Sequence, residues 1–430
     1  MATSKGGYTP SLERFLDTLK SRPVEASVES LVSLLKRRQI KGSEACATAT
    51  AHILLQVVAR DKWANVDQLI GRIQLTGRKL VAAQPYELVT GNIIRRVLGL
   101  IRDEASEDRN DTTIDSPRPN SPPPSARSQG SSPVKITRPP TLVSLGAFTR
   151  TQSMFNLLSD PNVAPSIGSN VSTPGQGSGA STPIGNAQST NVSALRSEVI
   201  DGIQEIMDEI KMVDEQVQTY ADIFIHTGDY VLVYQPSRTV QKFLTRAATK
   251  RTFTVFLVVD PSSETSTGER YASFLRSMAS HNSSVITVLN VGLMAYMSRV
   301  DKVILSARAI TAHGGVIVDS GAAAIARAAR ERRRTVIVLG GVYKLSSESK
   351  LPEERHIEWG EPSKYVDFAE GSIVSHIKVN NVISEFLPSD HVDTYITNLG
   401  AHVRDNLHTI IADHYKEEDM AFDFYGTAHR

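Results

Sequence analysis

The chain has 430 residues, of which 40% are hydrophobic and 22% are charged, and its formal net charge is +1. This composition is ordinary for a globular protein of two or three domains, and the near-zero charge gives no reason to expect a nucleic acid or a membrane as partner. A single cysteine, Cys46, excludes an intramolecular disulfide framework and a thiolate metal cluster built by one chain.

The N-terminal part, residues 1–105, has a helical pattern. Its first residues lack the apolar core of a secretory signal, and no apolar run in the chain approaches the ~18 residues of a membrane span. We therefore predict a cytoplasmic location.

In the same N-terminal part, apolar residues recur at spacings of three and four, as in Ile93, Ile94, Val97 and Leu98. We predict a small helical bundle, with Cys46 as one of its buried apolar residues.

The composition changes abruptly after the helical part. Residues 106–194 contain twelve of the chain's 20 prolines, among serine- and glycine-rich runs. Such a segment has too little apolar surface to offset the entropy lost on ordering. We predict a disordered insert, interrupted by one apolar island, Leu142–Leu158, that docks on a folded surface of this chain or of a neighbouring protein.

A long linking helix is predicted over residues 195–220. Its apolar residues follow alternating steps of four and three, which puts them on one face. They are Val199, Ile203, Ile206, Ile210, Val213 and Val217. Two interpretations fit this pattern: the face packs along the folded domain, or it also contributes to a subunit contact.

Strands and helices alternate in the rest of the chain, residues 221–430. Short apolar runs predict strands at Tyr230–Tyr234, Thr252–Val259, Ser284–Leu289, Lys302–Leu305 and Thr335–Leu339, with a late strand at Ile373–Val379. We expect Val392–Tyr415 to be mostly helical. The segment from Val300 to Gly341 is typical of a right-handed βαβ crossover. The predicted fold is α/β: a helical bundle, a disordered insert and a doubly wound Rossmann-like parallel sheet.

In such sheets ligands bind at the carboxyl ends of the strands, near a switch in strand order. Ser237 and Arg238 follow the first predicted strand and begin a helix. They could hold a phosphate through backbone N–H groups, a hydroxyl and a guanidinium. The alternative is that Ser237 caps the helix and Arg238 pairs with a carboxylate.

No motif of a known catalytic or metal site is present. The chain has no phosphate-binding loop of the Walker type, no HExxH and no serine nucleophile elbow, and its histidines lack metal-ligand spacing. We therefore predict no catalytic residue, no cofactor and no metal.

An arginine cluster ends the helix of the crossover. It comprises Arg327, Arg330, Arg332, Arg333 and Arg334. These side chains either face solvent near the helix C-terminus or contact an acidic or phosphorylated partner.

Four segments resemble a known family. They are Pro236–Val240 (PSRTV), Met297–Ile304 (MSRVDKVI), Tyr343–Ser346 (YKLS) and Ile396–Gly400 (ITNLG). They are similar to the alpha, beta and delta regulatory subunits of eukaryotic translation initiation factor 2B, and the first two are most similar to the beta branch. The resemblance covers about Leu195 to Asp419, and the N-terminal helices only by pattern.

The resemblance implies a fold shared with aldose–ketose isomerases that act on ribose bisphosphate and methylthioribose phosphate. The isomerase cysteine would fall at about Gln235, and its Asn-Gly-Asp motif reads His313-Gly314-Gly315. Without these groups, isomerisation has no proton shuttle. We therefore expect a vestigial anion pocket at most. Its residues would be Ser237, Arg238, Thr239, Gly314 and Gly315.

The resemblance also implies a function in translation. The chain would be a non-catalytic regulatory subunit of the guanine-nucleotide exchange factor for initiation factor 2. It would scaffold the complex with the delta subunit and sense the phosphorylated alpha subunit of initiation factor 2. The implied partners are the alpha, gamma, delta and epsilon subunits and initiation factor 2 itself. The alternative is a sugar-phosphate isomerase or a degenerate sugar-phosphate-binding relative.

Overall fold

The computed structural model describes residues 10–114, 187–259, 264–348, 355–361, 376, 378–420, 422 and 424. The helical part and the sheet part belong to one compact unit, formed within Met1–Arg109 and Asn191–Arg430. Of the predicted disordered insert, only residues 106–114 and 187–194 are described, and both stretches are helical. The rest of the insert, including the apolar island Leu142–Leu158, lies outside the described residues.

Five helices form the N-terminal part: α1 (Pro10–Leu19), α2 (Val24–Lys36), α3 (Ser43–Arg60), α4 (Val66–Ala83) and α5 (Leu88–Ile114). The side chain of Asn65 caps α4 by accepting a hydrogen bond from the backbone N–H of Gln68 at 2.9 Å, as expected for an asparagine at this position. Cys46 on α3 is fully buried. This confirms the prediction that the thiol packs as a small apolar group.

The long helix α6 (Ala187–Val217) connects the helical part to the sheet and is followed by the short helix α7 (Ala221–Phe224). All six residues of its predicted apolar face are buried. They share one hydrophobic core with residues of α3, α5 and the first two strands of the sheet. The face therefore packs on the folded chain, which confirms the first interpretation. A subunit contact made by this helix stays a prediction.

The main sheet has seven strands: β1 (Tyr230–Tyr234), β2 (Thr254–Val259), β3 (Ser284–Leu289), β4 (Lys302–Ser306), β7 (Thr335–Leu339), β11 (Thr394–Thr397) and β12 (Gly400–His402). Their order is β12-β11-β7-β4-β1-β2-β3. All neighbours are parallel except β11 and β12. The chain proceeds outward from β1 to β3 and then crosses to β4 on the other side of β1. This reversal is the topological switch point of a doubly wound sheet.

In the part of the chain that the structure describes, six helices accompany the main sheet: α8 (Arg238–Ala248), α9 (Glu264–Ser280), α10 (Leu293–Met297), α11 (Ala322–Glu331), α12 (Arg404–His414) and α13 (Glu417–Met420). The strands β1, β2, β4 and β7 are almost wholly buried, as expected for apolar strands that carry layers on both faces. The predicted α/β class is confirmed. The first five predicted strands are also confirmed, as β1, β2, β3, β4 and β7.

A second sheet, which the sequence did not predict, contains β5 (Ala309–Thr311), β6 (Val316–Asp319), β8 (Leu345–Ser346), β9 (Ile357–Gly360) and β10 (Asn381–Leu387). Its order is β8-β5-β6-β10-β9. Two of these strands lie inside the predicted βαβ crossover, between β4 and α11. Four of the five strands, all except β10, have only two to four residues and are too short to show a clear periodicity.

The C-terminal predictions need correction. The predicted strand Ile373–Val379 lies largely outside the described residues, and its described residues are not in a strand. The first half of Val392–Tyr415 is not helical, because β11 pairs with β7 in the main sheet and β12 pairs back on β11. Tertiary pairing overrides the weak helical pattern of this stretch. Only its second half, α12, is a helix.

Candidate functional site

A cavity of about 750 Å³ lies at the carboxyl ends of β1 and β4, where the strand order reverses. The segments after β1, β4 and β6 and the first turn of α3 contribute its walls. Residues at or just after strand ends line it: Tyr234, Gln235, Ser237, Arg238, Asn290, Ser306, Ala307 and Arg308. The position agrees with the rule for open α/β sheets. This cavity is the candidate site.

The structure brings together three of the five residues of the predicted anion pocket. Ser237, Arg238 and Thr239 lie at the N-terminus of α8 and line the cavity. Gly314 and Gly315 do not line it, because they form the turn between β5 and β6. A Cβ added to Gly315 would lie 2.3 Å from the ring of Phe386, so this glycine is needed for close packing in the second sheet.

The contacts of Ser237 and Arg238 match the capping interpretation. The Ser237 hydroxyl accepts a hydrogen bond from the backbone N–H of Val240 at 3.4 Å. The Arg238 guanidinium lies 3.5 Å from the carboxylate of Asp214, to which Thr239 also donates a hydrogen bond at 2.7 Å. The three residues are therefore engaged with α6 and with their own helix. The phosphate interpretation stays a prediction.

Gln235 occupies the position at which the resemblance places the isomerase cysteine. Its backbone φ is +40°, in the left-handed region that costs a residue with a side chain about 1 kcal/mol or more. Its amide donates to the hydroxyl of Tyr234 at 3.0 Å, and that hydroxyl donates to the carbonyl of Ser320 at 2.6 Å. A carboxamide held in this way provides neither a nucleophile nor a titratable proton.

A charge network centred on Arg308 crosses the cavity wall. Its guanidinium contacts Asp319 at 3.0 Å and Glu358 at 3.1 Å. Glu358 is 2% exposed and also binds Arg38 and the hydroxyl of Ser384. Burial opposes the charge of Arg308, but the surrounding carboxylates outweigh burial and raise its pKa. The network connects the helical part to the second sheet.

A buried lysine lines the cavity. Lys344 is 6% exposed, and its Nζ donates to the carbonyl of Ala307 at 2.8 Å. Burial lowers the pKa of Lys344, although nearby carboxylates, Asp214 foremost, favour its charged form. Glu44, in the first turn of α3, faces the same region, and burial together with Asp214 raises the pKa of its carboxyl. Cations nevertheless outnumber carboxylates in the cavity lining, which contains Arg38, Lys41, Arg238, Arg270, Arg308 and Lys344 but only Glu44 and Asp319.

The N-terminus of α11 already holds an anionic group of the chain itself. The carboxylate of Glu385 on β10 accepts hydrogen bonds from the backbone N–H groups of Gly321 at 2.8 Å and Ala323 at 2.9 Å. Helix N-termini offer such donors to phosphates and carboxylates. Gly321 has a φ of +98°, and a Cβ there would lie 2.8 Å from the Tyr234 hydroxyl. Glu385 thus fills a position that an anionic ligand could otherwise take.

The arginine cluster lies at the other end of α11 and contributes nothing to the cavity lining. Arg334 donates to the carbonyl of Ser298 at 2.7 Å. The other four side chains, Arg327, Arg330, Arg332 and Arg333, are exposed. Their role in contacting an acidic or phosphorylated partner stays a prediction.

Several site residues could not be found from the sequence. Ser43 and Glu44 come from the helical part, and Asp214 comes from α6, which the pattern assigned to packing. Glu385 lies on β10, a strand that was not predicted. The one sequence feature that pointed to any of these residues was the family segment Tyr343–Ser346 (YKLS). It contains Lys344 but does not indicate that this lysine is buried.

Replacing Glu87 with glutamine is expected to stabilise the chain at neutral pH. Glu87 is 5% exposed, and burial raises the pKa of its carboxyl despite the attraction of Arg308. Stability from this group is therefore fully present below the ordinary value of 4.5 and is lost as pH rises through the raised pKa. Thermal unfolding over a pH series should show a higher midpoint for Glu87→Gln at neutral pH and no difference below pH 4.5.

The matched control is Glu25→Gln on α2. Glu25 is 64% exposed and forms only surface pairs with Arg72 and Lys79, so its replacement should change stability little at any pH. A Glu87→Gln variant that is less stable than the wild type throughout the series would contradict the assignment of burial as the dominant effect.

No group of three or more His, Cys, Asp or Glu side chains in the described ranges is arranged to hold a metal ion. No helix of the described part is long and apolar enough to cross a membrane.

Comparison with known families identifies the chain. The model of the initiation factor 2 subunit family matches residues 39–403. The chain belongs to this family. Translation initiation factor eIF2B subunit beta of Schizosaccharomyces pombe is 33% identical over 409 residues, which cover 94% of this chain and 99% of the relative. The similarity therefore extends to the N-terminal helices. The four segments quoted from the sequence supported the resemblance only from about Leu195 to Asp419.

Two solved structures of family members are similar over nearly the full length. The crystal structure of eIF2B beta from Chaetomium thermophilum is 40% identical, with a TM-score of 0.68, and covers 96% of this chain and 99% of that one. The tetrameric eIF2B-beta2-delta2 complex from C. thermophilum matches at 37% identity and a TM-score of 0.65, covering 94% and 100%. The resemblance to the beta branch is confirmed.

More distant proteins share the fold. Ribose 1,5-bisphosphate isomerase of Pyrococcus furiosus is 26% identical over 211 residues, which cover 49% of this chain and 64% of the isomerase. The crystal structure of eIF2B delta from C. thermophilum is 15% identical with a TM-score of 0.52, and covers 88% of this chain and 97% of that one. The scaffold is thus common to isomerases and translation factors.

Proposed function

We propose that the chain is a non-catalytic regulatory subunit of the guanine-nucleotide exchange factor for initiation factor 2. It acts in the cytoplasm, scaffolds the complex with a delta subunit and senses the phosphorylated alpha subunit of initiation factor 2. The observation that carries this proposal is the similarity to eIF2B subunit beta over 99% of that protein. The remaining partners in this proposal are the alpha, gamma and epsilon subunits and initiation factor 2 itself.

The cavity supports a structural use of the inherited scaffold. A glutamine stands at the position assigned to the isomerase cysteine, and the contacts of Arg308 and Glu385 are satisfied within the chain. In this proposal, regulation arises from a difference between the free energies of productive and inhibitory docking of initiation factor 2.

Affinity purification from the cells that make the chain tests the proposal. A tagged full-length chain should recover the delta, gamma, epsilon and alpha subunits in comparable amounts, together with initiation factor 2. The control is an equally tagged, unrelated cytoplasmic protein. Recovery of the chain alone, or with a different set of proteins, would contradict the proposal. Interconversion of ribose bisphosphate or methylthioribose phosphate by the purified chain would instead favour the isomerase alternative.

A further inference from the structure

The C-terminal end of α11 carries a concentration of positive charge. We call Arg327, Arg330, Arg332 and Arg333 the α11 arginine surface, and all four side chains are exposed. Among the described residues, none of the four forms an ion pair with a carboxylate. A single exposed cation needs no explanation, but a block of like charges that the chain does not neutralise marks a surface for an anionic partner.

The backbone at this helix end has a conformation that glycine would adopt more easily. Arg333 has a φ of +53°, in the left-handed region. The turn itself is usual for a helix end, since the backbone N–H of Arg334 donates to the carbonyl of Ala329 at 2.8 Å. Arg38 has the same φ, but its guanidinium pairs with the buried Glu358. Arg333 has no such partner in the described part of the chain, so a binding role would explain why an arginine stands there.

The chemistry of the surface favours phosphate over carboxylate. Arg327 and Arg330 are three residues apart and therefore lie on one face of the helix, and the other two arginines follow at its end. Guanidinium groups bind phosphate oxygens bidentately, and a phosphate carries about two negative charges and three acceptor oxygens. The exposed Glu331 lies among the four arginines, yet it pairs with none of them. A singly charged carboxylate is thus a weak ligand on this surface.

Other polyanions fit the surface less well. Single-stranded nucleic acids are held by aromatic side chains on which the bases stack, and residues 322–335 contain no aromatic residue. Stable binding to a membrane surface combines basic residues with exposed apolar side chains, and no large apolar side chain of this segment is exposed. A phosphorylated protein segment requires neither feature.

We infer that the α11 arginine surface binds a protein segment that carries two phosphorylated side chains close together. Four guanidiniums offer four positive charges, which two phosphate dianions neutralise. The inference goes beyond the proposed function and does not depend on it, because the surface belongs to this chain alone and lies at the end of α11 away from the cavity.

The test measures binding of the full-length chain to a short fluorescent glycine–serine peptide that carries two phosphoserines. This peptide should bind at least about tenfold more tightly than the same peptide with one phosphoserine, or with glutamates in place of both. Arg330→Gln combined with Arg332→Gln should weaken its binding at least about tenfold. Both side chains are exposed, so the thermal midpoint of this variant should stay unchanged.

The matched control is Lys36→Gln combined with Arg37→Gln, because these two exposed cations also lie at a helix C-terminus, that of α2. It should leave peptide binding unchanged. Arg333→Gly excludes unfolding as the cause of weaker binding. It removes one guanidinium but places glycine at a positive φ, so it should raise the thermal midpoint while weakening binding about threefold.

Binding of the diphosphorylated peptide that is lost in the paired Arg330 and Arg332 variant and kept in the control supports the inference. Equal binding of the glutamate peptide, or equal binding by the paired variant, overturns it. Tighter binding of a single-stranded RNA or of phosphatidylserine vesicles at the same arginines also overturns it, in favour of that other polyanion. A chain that binds the peptide as expected but recovers no eIF2B subunits overturns the proposed function alone.

Discussion

The substitution Arg308→Met is expected to lower the free energy of unfolding by about 3 kcal/mol. It removes the cation that faces Asp319 and Glu358 and leaves the 2% exposed carboxylate of Glu358 with Arg38 as its only arginine partner. The expected loss of stability is at the low end of the range for a broken buried ion pair, because Arg38 still pairs with Glu358. Denaturant unfolding of the full-length chain, with the slope of the transition compared between variants, measures it.

The control for this prediction is Arg238→Met, another arginine that lines the cavity beside a carboxylate. Arg238 is 52% exposed and lies 3.5 Å from Asp214. Exposed pairs of this kind contribute between about 0 and 1 kcal/mol. Equal losses for the two variants would show that the network around Arg308 stabilises the contact of the helical part with the second sheet no more than an exposed pair would.

The substitution Ile203→Asp on α6 is expected to cost about 4 kcal/mol or more, because it places a carboxylate in an apolar core without a partner. Ile203 is fully buried in the core shared by α3, α5, β1 and β2. Unfolding of the full-length chain should shift to much lower denaturant concentration. A change that weakens the delta complex but leaves the isolated chain equally stable would instead favour the subunit-contact interpretation.

Met212→Asp is the matched control on the same helix. Met212 is 49% exposed, so its replacement should change stability by less than about 0.5 kcal/mol. Because the side chain faces away from the core, this variant also reports whether the outer face of α6 binds another subunit. Weaker binding to delta with unchanged stability would show that it does.

The parts of the fold that were predictable are those in which a local pattern decides the structure. The apolar face of α6 repeats over several turns, and β1 to β4 are continuous apolar runs. The position of the cavity followed from strand ends and a general rule of α/β sheets. Ser237 could be recognised as a helix cap because capping depends on residues three positions away.

The rest depends on contacts between distant residues. Glu385 meets the N-terminus of α11 across 64 residues, and Ser43 meets the carbonyl of Arg308 across 265. No periodicity or spacing predicts such pairs. The separation of Gly314 and Gly315 from the cavity has the same origin, because the second sheet holds their turn in place.

The carboxylate of Glu385 has a consequence for any free anion in the cell. Because it is tethered to β10 and already aligned with two N–H groups, its effective concentration at α11 is on the order of millimolar or above. A phosphorylated metabolite would have to displace this built-in competitor and leave its charge in a cavity without those donors. We therefore expect the N-terminus of α11 to bind a phosphorylated small molecule less readily than a helix N-terminus whose N–H groups are unoccupied.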